Sequence, residues 1–191
     1  MAYGLVPLVP GGSRRRVFAC VDSTRLGIGD PVAYAGSAQS IGNGPVRPTV
    51  SRSAATASHL GVCVGALQHT VVGAGMSLDR VYRPASVEMY VIVEIPEEQS
   101  LYYIESDEDS TTFAATHVGQ LADLATVADC STTSGMSTVQ LDMSTVATTN
   151  TLGFQIVGYD ENLGPGSTAP KPRLIVRFNQ RSTIDTGGTG V

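Results

Sequence analysis

Tryptophan is absent from this 191-residue chain, lysine occurs once (Lys171), and aromatic residues of all kinds make up only 6%. Charged residues are also sparse at 15%, while Ser, Thr and Gly are plentiful, which is unlike a helical protein rich in Glu, Lys, Leu and Ala. Such a composition suits strands and loops. No apolar run approaches the roughly 18 residues that span a bilayer, so no membrane partner is expected. The first apolar stretch, Leu5 to Pro10, is short, broken by Pro7 and Pro10, and followed rather than preceded by Arg14-Arg15-Arg16. That order is not a secretory signal, and a soluble chain made in a cytoplasm is expected. Cys20, Cys63 and Cys130 are odd in number, widely spaced and without C-x-x-C, so neither a disulfide framework nor a zinc site is indicated. Cys63, within Leu60-Gly-Val-Cys-Val-Gly-Ala66, reads as a small buried hydrophobe.

Motifs of chemistry are missing too. There is no G-x-S-x-G elbow, and nothing ties His59, His69 or His117 to a nucleophile or to a second metal ligand at H-x-x-x-H spacing. Each histidine reads as a surface or hydrogen-bonded residue. Glu105-Ser-Asp-Glu-Asp109 and Asp160-Glu-Asn-Leu-Gly164 carry oxygens that a hard cation could use, but the second lacks the spacing and closing Glu of a calcium loop. Both read as solvated acidic turns. Gly27-Ile-Gly29 and Gly61 to Gly65 precede no amphipathic helix, so they serve turns and close strand packing rather than phosphate binding. The expectation is no catalytic residue, no cofactor and no metal.

What is present is a segregation of charge. From Pro84 to Pro170 there are thirteen Asp and Glu and not one Lys or Arg; the segment before it carries a net +5 and the segment after it +3, giving −5 overall. Concentrating one sign repels itself unless opposite charge lies nearby, on the same chain or on a neighbour. Eleven arginines against one lysine favour planar pairing with carboxylates at protein contacts. A net negative chain is not a dedicated nucleic-acid binder, because backbone affinity rests on clustered cations.

Period-two alternation is the main structural signal. Val87, Met89, Val91, Val93 and Ile95 alternate with Glu88, Tyr90, Ile92 and Glu94. Val139, Leu141 and Met143, then Leu152, Phe154 and Ile156, then Leu174, Val176 and Phe178 repeat the pattern. The core is therefore expected at Val91, Val93, Leu141, Phe154, Ile156, Leu174, Val176 and Phe178. Val17 to Val21 and Gly27 to Tyr34 read as earlier strands, and residues 36–58, with the turn signal Asn43-Gly44, as a long surface loop or hairpin. Asp109 to His117 could form a short helix; Leu121, Leu124, Ala125 and Ala128 keep helical spacing, although Gln120 to Leu124 also alternates, so residues 109–130 stay open between helix and strand. The fold class is all-β, a mostly antiparallel barrel or sandwich with an extended N-terminal arm and at most one or two short helices. Residues 1–26 read as the arm and first strand, 27–180 as the β-rich domain, and 181–191 as a flexible tail.

The order Leu60-Gly-Val-Cys-Val-Gly-Ala66, Tyr90-Val-Ile-Val-Glu94, Leu101-Tyr-Tyr-Ile-Glu105, Ala114-Ala-Thr-His-Val-Gly119 and Gln120-Leu-Ala-Asp-Leu124 resembles the head decoration, or cement, proteins of tailed bacteriophages. Val139-Gln-Leu-Asp142, Ala147 to Leu152, Gln155-Ile-Val-Gly-Tyr159 and Arg173-Leu-Ile-Val-Arg-Phe-Asn179 extend the resemblance over roughly residues 27–180. It implies a knob on the exterior of a virion that clamps the major capsid protein lattice and assembles as a homotrimer or dimer. Within that reading, Tyr3, Leu5, Val6, Leu8, Arg14, Arg15 and Arg16 are the expected capsid contacts, on an arm that adds little to the fold. Alternatives are another virion component (tail, baseplate or fibre) and a carbohydrate-binding or hydrolytic β-domain, for which Tyr102, Tyr103 and Glu105 are the candidates.

Overall fold

The computed structural model describes residues 4–8, 14–56, 58–67, 81–108, 111–125, 128–160 and 171–179. Tyr3, His69, most of the Asp160 to Gly164 turn and the tail at 181–191 lie outside them. The chain is all-β. Its strands are β1 (Val6–Pro7), β2 (Arg14–Cys20), β3 (Pro31–Gln39), β4 (Arg47–Arg52), β5 (Gly61–Leu67), β6 (Met89–Ile95), β7 (Tyr102–Glu105), β8 (Leu121–Ala122), β9 (Phe154–Tyr159) and β10 (Arg173–Phe178). Five of them close a barrel in the order β2-β4-β3-β5-β6, and the other five form an antiparallel sheet in the order β1-β7-β10-β9-β8. Among the described residues, helix is confined to the 3-10 turns Ala115–His117 and Met143–Thr145.

The alternating residues of β6 sort as the pattern demands. Val91 and Val93 face into the barrel with Phe18, Cys20, Val32, Val50, Leu60 and Cys63. The other face of β6 is covered as well, which alternation alone does not foretell. Tyr90 packs against Ala19 and Ile41; its hydroxyl accepts from the Ile41 N–H (3.0 Å) and donates to the Pro45 carbonyl (2.6 Å). Residues 36–58 are thus largely the β3–β4 hairpin rather than a loop, and its turn folds back over the barrel wall. Asn43-Gly44 sits at that turn, where a Cβ on Gly44 would lie 2.5 Å from the Tyr90 hydroxyl.

The second core lies under the five-stranded sheet. Leu141, Phe154, Ile156, Leu174, Val176 and Phe178 are buried there with Leu5, Tyr102, Ile104 and Phe113, and the Phe154 and Phe178 rings lie 4.8 Å apart. All eight expected core residues are buried, but they are divided between two clusters. The expected strand at 139–143 is not one. Val139, Leu141 and Met143 are buried in alternation, yet Leu141 makes only isolated bridges to Ser106 and Leu124. The extension stops because the Asp142 carboxylate accepts from the Ser144 N–H (2.8 Å) and caps a 3-10 turn. Among the described residues of the segment left open, only Ala115–His117 is helical, β8 is a strand, and Leu124 bridges Leu141.

The arm belongs to the fold. Leu5 is 1% exposed, its N–H donates to the Gly29 carbonyl (3.0 Å), and Val6 and Pro7 pair with Tyr103 and Tyr102 of β7. The expectation of an arm that adds little to the fold fails here, because a two-residue edge strand delivers an apolar side chain into a core made by residues nearly a hundred positions later. Gly4 makes the entry possible: its φ is +64°, and a Cβ there would collide with Ser137 and the Gly29 carbonyl. The segment Gly27 to Pro31 gathers these partners. Gly29 N–H donates to Cys63 O (2.8 Å), Cys63 N–H to Asp30 O (2.9 Å), Ile28 N–H to Gly135 O (2.9 Å) and Ser137 N–H to Ile28 O (2.8 Å). It joins arm, barrel and the loop around residue 135.

Candidate functional site

The arginines divide by partner. Arg83 is fully buried, its Nη1 donating to the carbonyls of Asp22 and Val87 (2.8 Å each) and its Nη2 to that of Thr24, so it knits the loop after β2 to the start of β6. Arg52 and Arg25 approach Asp129 (2.8 and 3.8 Å). Arg15 pairs with Glu94 (3.2 Å), which is 2% exposed between barrel and sheet and also accepts from the Tyr102 hydroxyl (3.4 Å). Arg14 lies 3.9 Å from exposed Glu97. Four cations of the basic segment thus meet carboxylates of the acidic one within the same chain. Arg16 and Arg47 have no carboxylate partner among the described residues, and both are exposed.

Those two line one cleft. It has a volume of about 480 Å³ and is bordered by Arg15, Arg16, Val17, Phe18, Arg47 and Pro48. Its origin is a splayed seam: β2 pairs with β6 along all seven residues, but with β4 only at Ala19↔Thr49 and Cys20↔Val50. Upstream of that contact the ladder stops, because β4 has only Arg47 and Pro48 left and the proline has no N–H to give, and the cleft opens there with arginines on both banks. Exposed guanidinium groups beside a cleft favour carboxylates held in a planar, two-point arrangement. Of the residues expected from sequence, Arg15 and Arg16 reach this cleft, while Arg14 stands at its end of β2. Val6 and Leu8 are partly exposed at the edge of the other sheet, and Leu5 is unavailable to any partner. Arg47 was not foreseen; its signal is the Asn43-Gly44 turn, which sends the next strand back past β2.

The other sequence candidates separate. Tyr103 and Glu105 border a cavity of about 290 Å³ with Gly4, Val6, Ile104, Met136 and Arg173, and Arg173 lies over the Tyr103 ring at 5.6 Å. Tyr102 is fully buried, because strand alternation turns it with Ile104 into the core, so the three do not share a face. Asp107 accepts from the Met143 N–H (3.0 Å) and Glu108 from the Phe113 N–H (3.2 Å), so those carboxylates hold the acidic turn in place. Among the described residues no three His, Cys, Asp or Glu side chains converge as metal ligands do. Cys20, Cys63 and Cys130 are free and buried; burial pushes the Cys63 thiol up to about 12, far from a reactive thiolate.

His59 and Asp30 are two further buried titratable groups. His59 Nδ1 pairs with Ser53 Oγ (2.8 Å), its ring lies 4.9 Å from Phe154, and its Nε2 has no hydrogen-bond partner among the described residues; burial lowers its pKa to about 4. Asp30 accepts from the Gly27 N–H at 2.7 Å, and burial raises it to about 6 despite that bond and one from the Ser137 hydroxyl. Neither opens onto the arginine cleft. Comparison with family models, curated proteins and solved structures returns no match to this chain.

Proposed function

We propose that this chain is a decoration, or cement, protein of a tailed-bacteriophage head, bound to the exterior of the major capsid protein lattice and acting without chemistry or cofactor. The observation that carries the protein-contact part is the barrel cleft where Arg16 and Arg47 stand exposed without carboxylate partners among the described residues while other arginines nearby are paired. The capsid as partner comes from the order of strand phrases between residues 27 and 180. Bound across neighbouring subunits of the assembled lattice and not to dissociated ones, the protein stabilises the particle by mass action. Self-association, as a homotrimer or a dimer, accompanies this reading, with acidic surface of one copy near cationic surface of another.

The test is particle stability. Heads lacking the chain are expected to form but to release DNA at lower temperature or under osmotic shock, and purified protein should restore resistance. The variant Arg16→Glu/Arg47→Glu should fold normally yet fail to decorate. Equal heat resistance with and without the chain removes the cement reading, and an image that locates the chain only at the tail moves it to another virion component.

A further inference from the structure

We infer that the seam between β2 and β4 is a strand-addition site, in which an extended acidic segment of the capsid subunit lies antiparallel to both strands and completes the barrel wall. The inference rests on the decoration reading for the identity of the partner, but its geometry comes from the barrel.

Along Arg14 to Phe18, β2 is laddered to β6 on one side only. In a strand, alternate residues turn both their N–H and C=O toward opposite neighbours, so about half of these peptide groups point into the seam. Among the described residues the ladder to β4 begins only at Ala19↔Thr49, so upstream of it these groups have no strand partner there. An unpaired edge of this kind is a template for another strand, and extended peptides use it with main-chain bonds for affinity and side chains for choice. Arg14 to Phe18 offers roughly 17 Å of edge, enough for a segment of about five residues.

Orientation follows from the strands that flank the gap. The β2–β4 ladder is the one parallel ladder between described strands, and it spans two residue pairs. A segment running antiparallel to β2 is antiparallel to β4 as well, and antiparallel ladders are somewhat more stable per residue. The side chains then specify the segment. Phe18 belongs to the barrel core, so alternation puts Arg16 and Arg14 on the Phe18 face and Val17 on the other. In the register continued from Ala19↔Thr49, Arg47 stands across the seam from Val17. Read from its N-terminus, the incoming segment needs an apolar residue opposite Phe18, an acidic one beside Arg47, and an acidic one opposite Arg16. Arg15 is already held by Glu94, so the next position is free of a charge requirement.

The probe is the synthetic peptide acetyl-Val-Glu-Glu-Thr-Glu-amide, titrated into the full chain and followed by NMR. Its expected signature is binding that slows amide exchange within residues 14–18, weakens about five- to tenfold in Arg16→Ala and in Arg47→Ala, and is largely kept in Arg47→Lys. A backbone N-methylated copy and the reversed sequence, with equal charge, should bind at least tenfold more weakly. Equal binding of either control, unchanged affinity in both alanine variants, or equal binding of a five-residue oligothymidylate would overturn strand addition and leave a general polyanion patch. Concentration-dependent self-association abolished by Arg16→Glu/Arg47→Glu would overturn the capsid segment as occupant in favour of a second copy. If the peptide fails while the protein still decorates heads, strand addition alone falls; if the peptide binds but the protein does not decorate heads, the cement reading alone falls.

Discussion

Between about pH 4 and 6.5 two of the buried titratable groups, Asp30 and His59, pull stability in opposite directions. Asp30, ordinarily ionising near 3.8, stays protonated in the fold up to about 6. Its contribution is fully present below the unfolded value and is lost as pH rises through the folded one. At roughly 1.4 kcal/mol per pH unit this amounts to about 3 kcal/mol. His59 is the mirror case: ordinarily protonating near 6.5, it stays neutral in the fold down to about 4. Its contribution is fully present above 6.5 and is lost as pH falls through 4, again about 3 kcal/mol. The two slopes nearly cancel in the native protein. Asp30→Asn should unmask the histidine, so that stability relative to wild type falls by about 3 kcal/mol from pH 6.5 to 4. His59→Gln should unmask the aspartate and shift stability by a similar amount in the opposite sense. Urea unfolding followed by far-UV circular dichroism at four pH values reads both, and differences from wild type remove what the other carboxylates add. If both variants track the wild-type pH profile in parallel, the buried sites are wetter than the geometry implies and the argument fails.

Leu5→Ala should destabilise by about 2–5 kcal/mol, since it empties a fully buried position, and chemical denaturation should show it; a surface-like loss under 0.5 kcal/mol would return the arm to an independent anchor. Phe154→Ala should cost about 3–5 kcal/mol, and Val91→Asp should lower the melting temperature further by placing an unpaired charge inside the barrel. Native protein should react with a thiol reagent only as fast as it unfolds, because all three cysteines are buried and protonated; rapid labelling of Cys63 in folded protein would contradict its placement.

β6, β9 and β10 were legible in the sequence because each carries alternation with one face strictly apolar, and that signal is local. The covering of the other face of β6 was not, since it depends on a hairpin turn 49 residues away that brings Ile41 over Tyr90 and on the sheet that brings Tyr102 to Glu94. Segment 139–143 alternates as a strand does, but alternation reports burial, whereas a ladder needs a neighbour with matching length. Leu5 was misread for a related reason: nothing within a short, proline-broken stretch reveals that its partners are β7 and Gly29. The arginine cleft was half visible. Arg14 to Arg16 stand out in any charge count, while Arg47 gains meaning only once the hairpin sets it across from β2.

The strand order of the second sheet carries a consequence for synthesis. β10 is the last of the described strands in the chain and yet the central one, flanked by β7 and β9. Until residues 173–178 leave the ribosome, β7 and β9 have no shared neighbour, Leu5 has an incomplete core to enter, and two open strand edges stay exposed. The barrel, whose strands all lie before residue 96, can assemble earlier. A nascent chain therefore passes through a stage with a formed barrel and an adhesive, unfinished sheet, the condition under which non-local β-structure aggregates. A product truncated before β10 should accumulate as insoluble material.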